Sequence, residues 1–234
     1  MSTADHLLLA SASPRRRRLL AWLDLPYAVC ATDTPEEMDG PLADRPTALA
    51  CSLAAEKALA ARPLCTGDPS VLVVACDTIV VVDERILGKP RDLDEAFGML
   101  RSLSGRMHEV VTGVALLWPG KDAPTTFPVV TPVLMRTLTE DDIRAWADEG
   151  ELLGCAGAYN IESHLASVAS DQCFQNVAGL PLCHLFAALG SGGLTGATSP
   201  VCACDEARKI DCTLGPRLVA PFLSSQQIGG ASAC

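Results

Sequence analysis

Short apolar runs alternate with helical patterns along the first half of the chain. The predicted elements, in chain order, are a strand over residues 6–9, a helix over 14–23, a strand over 27–31, a helix over 47–61 and an apolar run over 71–76 that resumes over 79–82. The run over residues 71–76 has the composition of a buried strand. Strands that alternate with helices in this way predict an α/β fold.

The second half continues the same pattern. It predicts a helix from Asp92 to about 103, strands over 109–118 and 127–136 that form a hairpin, a helix from Thr139 to Asp148 and a final helix from Leu180 to about 189. A Gly-, Ser- and Thr-rich break over 190–200 follows. We therefore expect a folded domain over 1–189, a linker over 190–200 and a partly disordered or loosely docked tail over 201–234.

Composition narrows the classes of function. The chain has 234 residues, 49% of them hydrophobic, and a formal net charge of −10. So acidic a chain argues against broad binding to nucleic acid, which needs an extended positive field. No apolar stretch approaches the ~20 residues of a membrane span, and the first ten residues do not resemble a signal peptide. These features predict a cytoplasmic protein with neither a membrane nor a nucleic-acid partner.

The eleven cysteines mostly stand singly among apolar residues, where cysteine behaves as a small hydrophobe. Cys202, Cys204 and Cys212 lie closer together, but no fourth ligand stands at zinc-ribbon spacing. Reduced core thiols are the expected state for most of them, while disulfides in the tail stay open.

A basic run near the N-terminus is the first candidate site. Residues 10–18 follow the first predicted strand and contain Ser13, Pro14 and four consecutive arginines. Ser13 is a good N-cap and Pro14 fits the first helical position, so the free amides of the first turn would face an anion. The alternative is a solvated basic helix face. An anion such as a polyphosphate is the ligand this pattern predicts.

Asp77 is the most informative acid, because it follows the apolar run over 71–76. A carboxylate at the end of a buried strand can bind a metal or act as a general base, although it can also simply cap a turn through Thr78. Lys89 stands between glycine and proline, and Lys57 lies late in a predicted helix. Together with the arginines, these lysines would neutralise most of the charge of a triphosphate.

Two loops add further candidates. Asp33, Glu36, Glu37 and Asp39 lie in a Pro- and Gly-containing loop, and Mg²⁺ needs only one or two carboxylates when phosphate and water complete its shell. Glu36 or Glu37 would suffice together with Asp77. Residues 154–163 combine glycines with Tyr159 and Glu162, which suits reading the edge of a base, unless this is an ordinary glycine turn.

Taken in order, these segments resemble the Maf nucleotide pyrophosphatases. The collinear matches are Ser11-Ala12-Ser13-Pro14-Arg15-Arg16, Glu56-Lys57-Ala58, Asp77-Thr78, Gly88-Lys89-Pro90, Leu103-Ser104-Gly105, Val111-Thr112-Gly113, Ala156-Gly157-Ala158-Tyr159 and Gly179-Leu180-Pro181-Leu182. They extend from residue 6 to about residue 189. Each match is weak alone, but eight in the same order are not expected by chance.

The resemblance implies hydrolysis of a nucleoside triphosphate to the monophosphate and pyrophosphate with Mg²⁺ or Mn²⁺. Asp77 would accept the proton of the attacking water or bind the metal, and Glu36 would join metal or water binding. The residues implied to hold phosphate or substrate are Ser13, Arg15, Arg16, Lys57 and Lys89. The implied fold is a curved mixed β-sheet with flanking helices and two lobes around a deep cleft, Maf- and ITPase-like, often in homodimers.

The resemblance implies that three positions determine substrate specificity, and in this sequence they indicate different substrates. Arg15 and Thr78 are similar to the branch that cleaves dTTP and UTP. Glu162, like Cys155, is similar to the branch that acts on 7-methyl-GTP. An ionised glutamate offers only acceptors, which suits the donors of guanine, whereas glutamine suits uracil or thymine.

We therefore expect dTTP, UTP or modified pyrimidine triphosphates as substrates in a pool-cleansing role, with 7-methyl-GTP as the alternative. A different class of function is a non-catalytic, nucleotide-sensing regulator of cell division and septum formation. A sensor has little need of a positioned base, so the presence of Asp77 with Lys57 and Lys89 favours the enzyme.

Overall fold

A mixed β-sheet forms the centre of the molecule. The computed structural model describes residues 4–65, 70–149, 151–208 and 211–223. The strands are β1 (His6–Ala10), β2 (Tyr27–Cys30), β3 (Val71–Val82), β4 (Arg85–Leu87), β5 (Met107–Leu117), β6 (Thr125–Met135) and β7 (Ala166–Ser167). The helices are α1 (Pro14–Leu20), α2 (Pro46–Ala61), α3 (Leu93–Leu103), α4 (Glu140–Asp148), α5 (Phe174–Val177), α6 (Leu182–Ser191), α7 (Val201–Arg208) and α8 (Gly215–Val219).

The seven-stranded sheet runs in the order β2-β1-β3-β5-β6-β7, and β4 pairs with β3 off this path. β1 is parallel to β2 and β3, whereas β5, β6 and β7 continue the sheet in antiparallel pairs. The predicted fold class, an α/β protein with a mixed sheet and flanking helices, is confirmed.

The strand β3 differs from its prediction in one respect that matters for the site. It runs unbroken through Asp77 and Thr78, because β5 pairs with it over this whole stretch, Asp77 opposite Gly113 and Thr78 opposite Thr112. On its other edge, β1 pairs with β3 only as far as residue 75, and β4 pairs with it only from residue 80. Among the described strands, residues 76–79 therefore have no neighbour on that edge, and a cleft opens there.

Helix α2 packs against β3 and β5, and its backbone lies very close to Gly113 of β5. A Cβ atom on Gly113 would lie 2.1 Å from the carbonyl oxygen of Ala50. Only glycine fits this contact between strand and helix. The contact seats α2 so that Lys57, about two turns further along the helix, reaches Asp77.

The described part of the C-terminal segment packs on the domain, while the division into a domain, a linker and a tail stays a prediction. Leu194 and Ala197 are buried, and so are Cys204 of α7 and Val219 of α8. A Cβ on Gly190 would lie 2.8 Å from the ring of Phe222, so this segment contacts α6 directly. Its apolar side chains hold it in place. Residues 209–210 and 224–234 of the predicted tail lie outside the described residues.

No helix in the described ranges is long and apolar enough to span a membrane. The described cysteines Cys76, Cys155, Cys173, Cys183 and Cys204 are free and buried, as expected of core thiols.

Candidate active site

A cleft of about 500 Å³ opens where β3 lacks its neighbour. One wall is formed by residues 10–16, which connect β1 to α1, and the opposite wall by segments within 151–160 and 177–179. Between them lie side chains of β3, with Glu36, Lys57 and Lys89 at one side. Ser13, Arg15, Arg16, Asp77 and Thr78 also line the cleft, so the predicted phosphate-binding and catalytic residues come together.

Asp77 and Lys57 form a buried ion pair in the cleft. Their exposed fractions are 3% and 8%. Lys57 Nζ donates a hydrogen bond to Asp77 Oδ1 and another of 2.8 Å to Glu36 Oε1. Asp77 Oδ2 is buried and has no hydrogen-bond partner among the described residues. A buried carboxylate oxygen in this state has lost its water and is available to a ligand.

The carboxylates of Asp77 and Glu36 differ in proton affinity. Burial raises the pKa of Asp77, and the positive charge of Lys57 only partly offsets that effect. Glu36 is half-buried, but hydrogen bonds from Lys57 and Lys89 lower its pKa to about 2. Lys89 Nζ reaches both oxygens of Glu36, at 2.7 and 3.0 Å. Glu36 is therefore a fixed negative charge, whereas Asp77 is the stronger base.

All three nitrogens of the Arg16 guanidinium donate hydrogen bonds. It donates to the carbonyl oxygen of Gly179 at 2.7 Å, to Thr78 Oγ1 at 3.0 Å and to Ser11 Oγ at 3.3 Å. Gly179 has a φ of +100°, and a Cβ there would lie 3.3 Å from Arg16 Nε. The glycine thus leaves room for the guanidinium, which joins the two walls of the cleft.

Arg15 contacts the opposite wall through Cys155 and through Glu151, which the sequence did not indicate. Its guanidinium lies 3.3 Å from Glu151 Oε2 and 3.2 Å from Cys155 Sγ. Asn160 Nδ2 donates to the same Glu151 carboxylate at 3.0 Å. Burial raises the pKa of the Cys155 thiol, which disfavours the nucleophilic thiolate form. No local motif marks Glu151, because only the fold brings it to Arg15.

Ser13 has the predicted capping role, since its Oγ accepts from the backbone N–H of Arg16 at 3.4 Å. Glu162 does not line the cleft. Its carboxylate pairs instead with Arg18, on the outer part of α1. The substrate-sorting role of Glu162 stays a prediction.

Among the described residues, no group of three or more His, Cys, Asp or Glu side chains is arranged to hold a metal ion. Glu36 and Asp77 are the two carboxylates that share Lys57. A hard divalent cation bound here would take its other ligands from phosphate and water.

Comparisons with known proteins find relatives over most of this chain. A family model described as "Maf-like protein" matches residues 6–191. A protein of Syntrophotalea carbinolica named dTTP/UTP pyrophosphatase is 39% identical over 207 residues, which cover 85% of this chain and 93% of that protein. One of Xanthomonas euvesicatoria with the same name is 41% identical over 186 residues, or 76% of this chain and 94% of that protein.

A solved structure, the Staphylococcus aureus Ham1 protein, matches with a TM-score of 0.34 and 14% identity over 56% of this chain and 71% of that chain. A likeness of this size carries no weight for the fold or the function.

Proposed function

Because this chain belongs to the Maf-like protein family, we propose that it hydrolyses nucleoside triphosphates to the monophosphate and pyrophosphate, with dTTP and UTP as its preferred substrates. The observation that carries the proposal is the state of Asp77. It is 3% exposed, one of its carboxylate oxygens has no partner among the described residues, and it lies in a cleft with Arg15, Arg16, Lys57 and Lys89.

The reaction needs a water oxygen to attack the α-phosphorus while the bond from that phosphorus to the bridging oxygen breaks. The water loses a proton and pyrophosphate leaves. Asp77 Oδ2 is the acceptor available for that proton, and its raised pKa favours the transfer. The four cationic side chains would neutralise charge on the triphosphate, which is the main task of a protein in phosphoryl chemistry.

A divalent cation, Mg²⁺ or Mn²⁺, belongs to the proposal. Glu36 and Asp77 would hold it, since carboxylate oxygens are the ligands such ions prefer and Asp77 Oδ2 has no other partner among the described residues. The ion would supply charge neutralisation at the phosphates. Asp77 is then either the base or a metal ligand, and the Mg²⁺ titration described in the Discussion addresses this choice.

Two observations support pyrimidine substrates. The relatives described above are named for dTTP and UTP, and the residues assigned to that preference, Arg15 and Thr78, both line the cleft. The 7-methyl-GTP alternative depends on Glu162, whose carboxylate is paired with Arg18 outside the cleft lining. We expect Glu162→Gln to keep the order dTTP and UTP over 7-methyl-GTP. A variant that newly gains pyrimidine activity would favour the alternative.

The test is a panel of the common triphosphates and 7-methyl-GTP, incubated with the purified full chain and Mg²⁺ or Mn²⁺. We expect pyrophosphate and monophosphate from dTTP and UTP, and loss of both products with excess chelator. Absence of pyrophosphate from every triphosphate would overturn the proposal and favour a nucleotide-sensing regulator. Two expectations stay predictions: that the protein acts on the cytoplasmic nucleotide pool, and that it forms a homodimer.

A further inference from the structure

A series of hydrogen-bonded hydroxyl groups starts at the cleft with the half-buried Thr78 and ends at the buried helix α5. Arg16 Nη2 donates to Thr78 Oγ1 at 3.0 Å, and Thr78 Oγ1 lies 2.9 Å from Thr112 Oγ1 on the neighbouring strand. Thr112 Oγ1 in turn donates to the backbone carbonyl of Asn176 at 3.1 Å. Thr112 and Asn176 are both fully buried, so water cannot replace any of these partners.

The number of available hydrogens fixes the direction of donation along this series of hydroxyl groups. A threonine hydroxyl carries one hydrogen, and a carbonyl oxygen only accepts. If Thr112 gives its hydrogen to Asn176, the hydrogen between the two threonines must come from Thr78. The opposite direction would leave Thr112 without its bond to Asn176 and make one hydrogen bond fewer in a buried site, which costs free energy. Thr78 therefore donates inwards, and towards the cleft it can only accept.

The surroundings of Thr78 identify what it would accept from. Side chains alternate along a strand, so Asp77 faces Lys57 on α2 while Thr78 and Val80 face the other side of the sheet. Beside Thr78 the cleft is lined by apolar groups, among them Val80, Val110 and Tyr159, and by Arg16, which donates to Thr78. The charged side suits a triphosphate and the apolar side suits a flat base. Thr78 lies at the boundary between them.

We infer that Thr112 is a specificity-determining positioning residue: it turns the Thr78 hydroxyl into an obligate acceptor, which selects bases with a ring N–H donor over bases with an unprotonated ring nitrogen. Uracil and thymine carry an N3–H, whereas N3 of cytosine is an acceptor and would meet the acceptor of Thr78. The inference rests on the proposed function, because it concerns the base of the same substrate.

Gly179 lies beside the contact between Arg16 and Thr78, and its position is consistent with the inference. A Cβ on Gly179 would lie 3.7 Å from Thr78 Oγ1 as well as close to Arg16. The N–H of Gly179 also donates to the same Asn176 carbonyl at 3.0 Å, which fixes the end of the hydroxyl chain. The acceptor that orients Thr112 is therefore itself held by the wall of the cleft.

The experiment compares the ratio of kcat/KM for UTP and CTP in the wild-type chain, Thr112→Val, Thr112→Ser and Thr131→Val. Thr112→Val keeps the shape of the side chain but removes the hydroxyl, so Thr78 can turn its hydrogen to the cleft. Thr112→Ser keeps the hydroxyl. Thr131 is the matched control, because it is also fully buried and donates to a backbone carbonyl, that of Cys173 at 3.1 Å, without contacting Thr78. Its Oγ1 also accepts from Asn176 Nδ2 at 3.0 Å, so Thr131→Val disturbs Asn176 without removing the hydroxyl that orients Thr78.

We expect the wild-type chain to prefer UTP. Thr112→Val should lower the ratio of kcat/KM for UTP to that for CTP about tenfold, which is the effect of one mismatched buried hydrogen bond. Thr112→Ser and Thr131→Val should keep the wild-type ratio. An unchanged ratio in Thr112→Val, an equal fall in Thr131→Val, or a wild-type chain without preference would each overturn the inference.

A second measurement separates this inference from the proposed function. Calorimetric binding of α,β-imido-UTP and α,β-imido-CTP gives the same selectivity without turnover. If the chain releases no pyrophosphate, the proposed function fails while the binding ratio still tests Thr112. Should Thr112→Val fail to fold, as its thermal unfolding would show, N3-methyl-UTP tests the wild-type chain, which should bind it at least about tenfold more weakly than UTP.

Discussion

Lys57 donates a hydrogen bond to one carboxylate oxygen of Asp77, and the other oxygen is buried without a partner among the described residues. The lysine thus orients the carboxylate and supplies a positive charge beside it. Asp77 keeps a raised pKa nevertheless, because burial outweighs that charge. The pair provides an oriented base in a site that attracts anions.

Asp77→Asn tests the role of this carboxylate. The amide is nearly isosteric but cannot accept the proton of a water molecule, so we expect turnover to fall by about 10²- to 10⁴-fold. Binding of α,β-imido-UTP in the absence of divalent cation should change little. Pyrophosphate release and calorimetry measure the two quantities. A variant with near wild-type turnover would exclude Asp77 as the base.

If Asp77 acts as a metal ligand, its substitution should instead weaken the activation of the reaction by Mg²⁺. A titration of activity against Mg²⁺ concentration, for the wild-type chain and Asp77→Asn, distinguishes this case. A base gives a low plateau at an unchanged midpoint, whereas a ligand shifts the midpoint to higher Mg²⁺.

The pH profile should report the coupling between Lys57 and Asp77. Asp77 must be ionised to act as a base, and Lys57 lowers its pKa. Lys57→Met removes this charge, so the pKa of Asp77 rises and the acid limb of kcat/KM moves to higher pH. Lys89→Met is the control, because Lys89 contacts Glu36 and not Asp77. Equal shifts in both variants would show that the effect is general to the cleft.

Stability should also depend on pH through His108. Burial lowers the pKa of His108 to about 4 in the folded state, and its ring contacts the hydroxyl of Tyr159 at 2.8 Å. The unfolded chain therefore takes up a proton near pH 6.5 that the folded chain takes up only near pH 4. As pH falls through this window, stability falls by up to about 3 kcal/mol.

His108→Gln should remove most of that dependence. Denaturant unfolding at several pH values between 4 and 7 measures it, and the loss of stability with falling pH should be shallower in the variant. Parallel curves for the two proteins would show that His108 is not responsible.

The close contact between α2 and β5 gives a test of the fold. Gly113→Ala places a methyl group 2.1 Å from a backbone oxygen of α2, so the helix must shift. We expect a loss of about 2–3 kcal/mol and a higher KM, because α2 carries Lys57. Gly98→Ala is the control, since nothing lies within 4 Å of its Cβ position inside α3. That variant should gain about 0.5–1 kcal/mol, as thermal unfolding would show.

Local patterns predicted most of the elements up to residue 189, because each buries a stretch of apolar side chains with a clear period. The interruption expected at Asp77 and Thr78 was wrong. Two polar residues after an apolar run are typical of a strand end, and their pairing with Gly113 and Thr112 is a long-range contact. The collinear motifs indicated the acids and cations of the cleft, which come from separate elements.

Other features depend on contacts that no local pattern carries. Glu151 reaches Arg15 across the cleft, and Asn176 lies in the four-residue helix α5, which is too short to show a period. Asn176 is fully buried and donates to the carbonyl oxygens of Val110 and Val129. The helices after residue 200 are likewise short, and the packing of α8 on α6 emerges only from the fold.

Hydrolysis of UTP in H₂¹⁸O with Mg²⁺ tests the central claim most directly. Attack of water on the α-phosphorus places the ¹⁸O label in the UMP and leaves the pyrophosphate unlabelled, which is the result we predict, and Asp77→Asn should form neither product at an appreciable rate. Label in the pyrophosphate, or formation of UDP and inorganic phosphate, would contradict the proposed reaction.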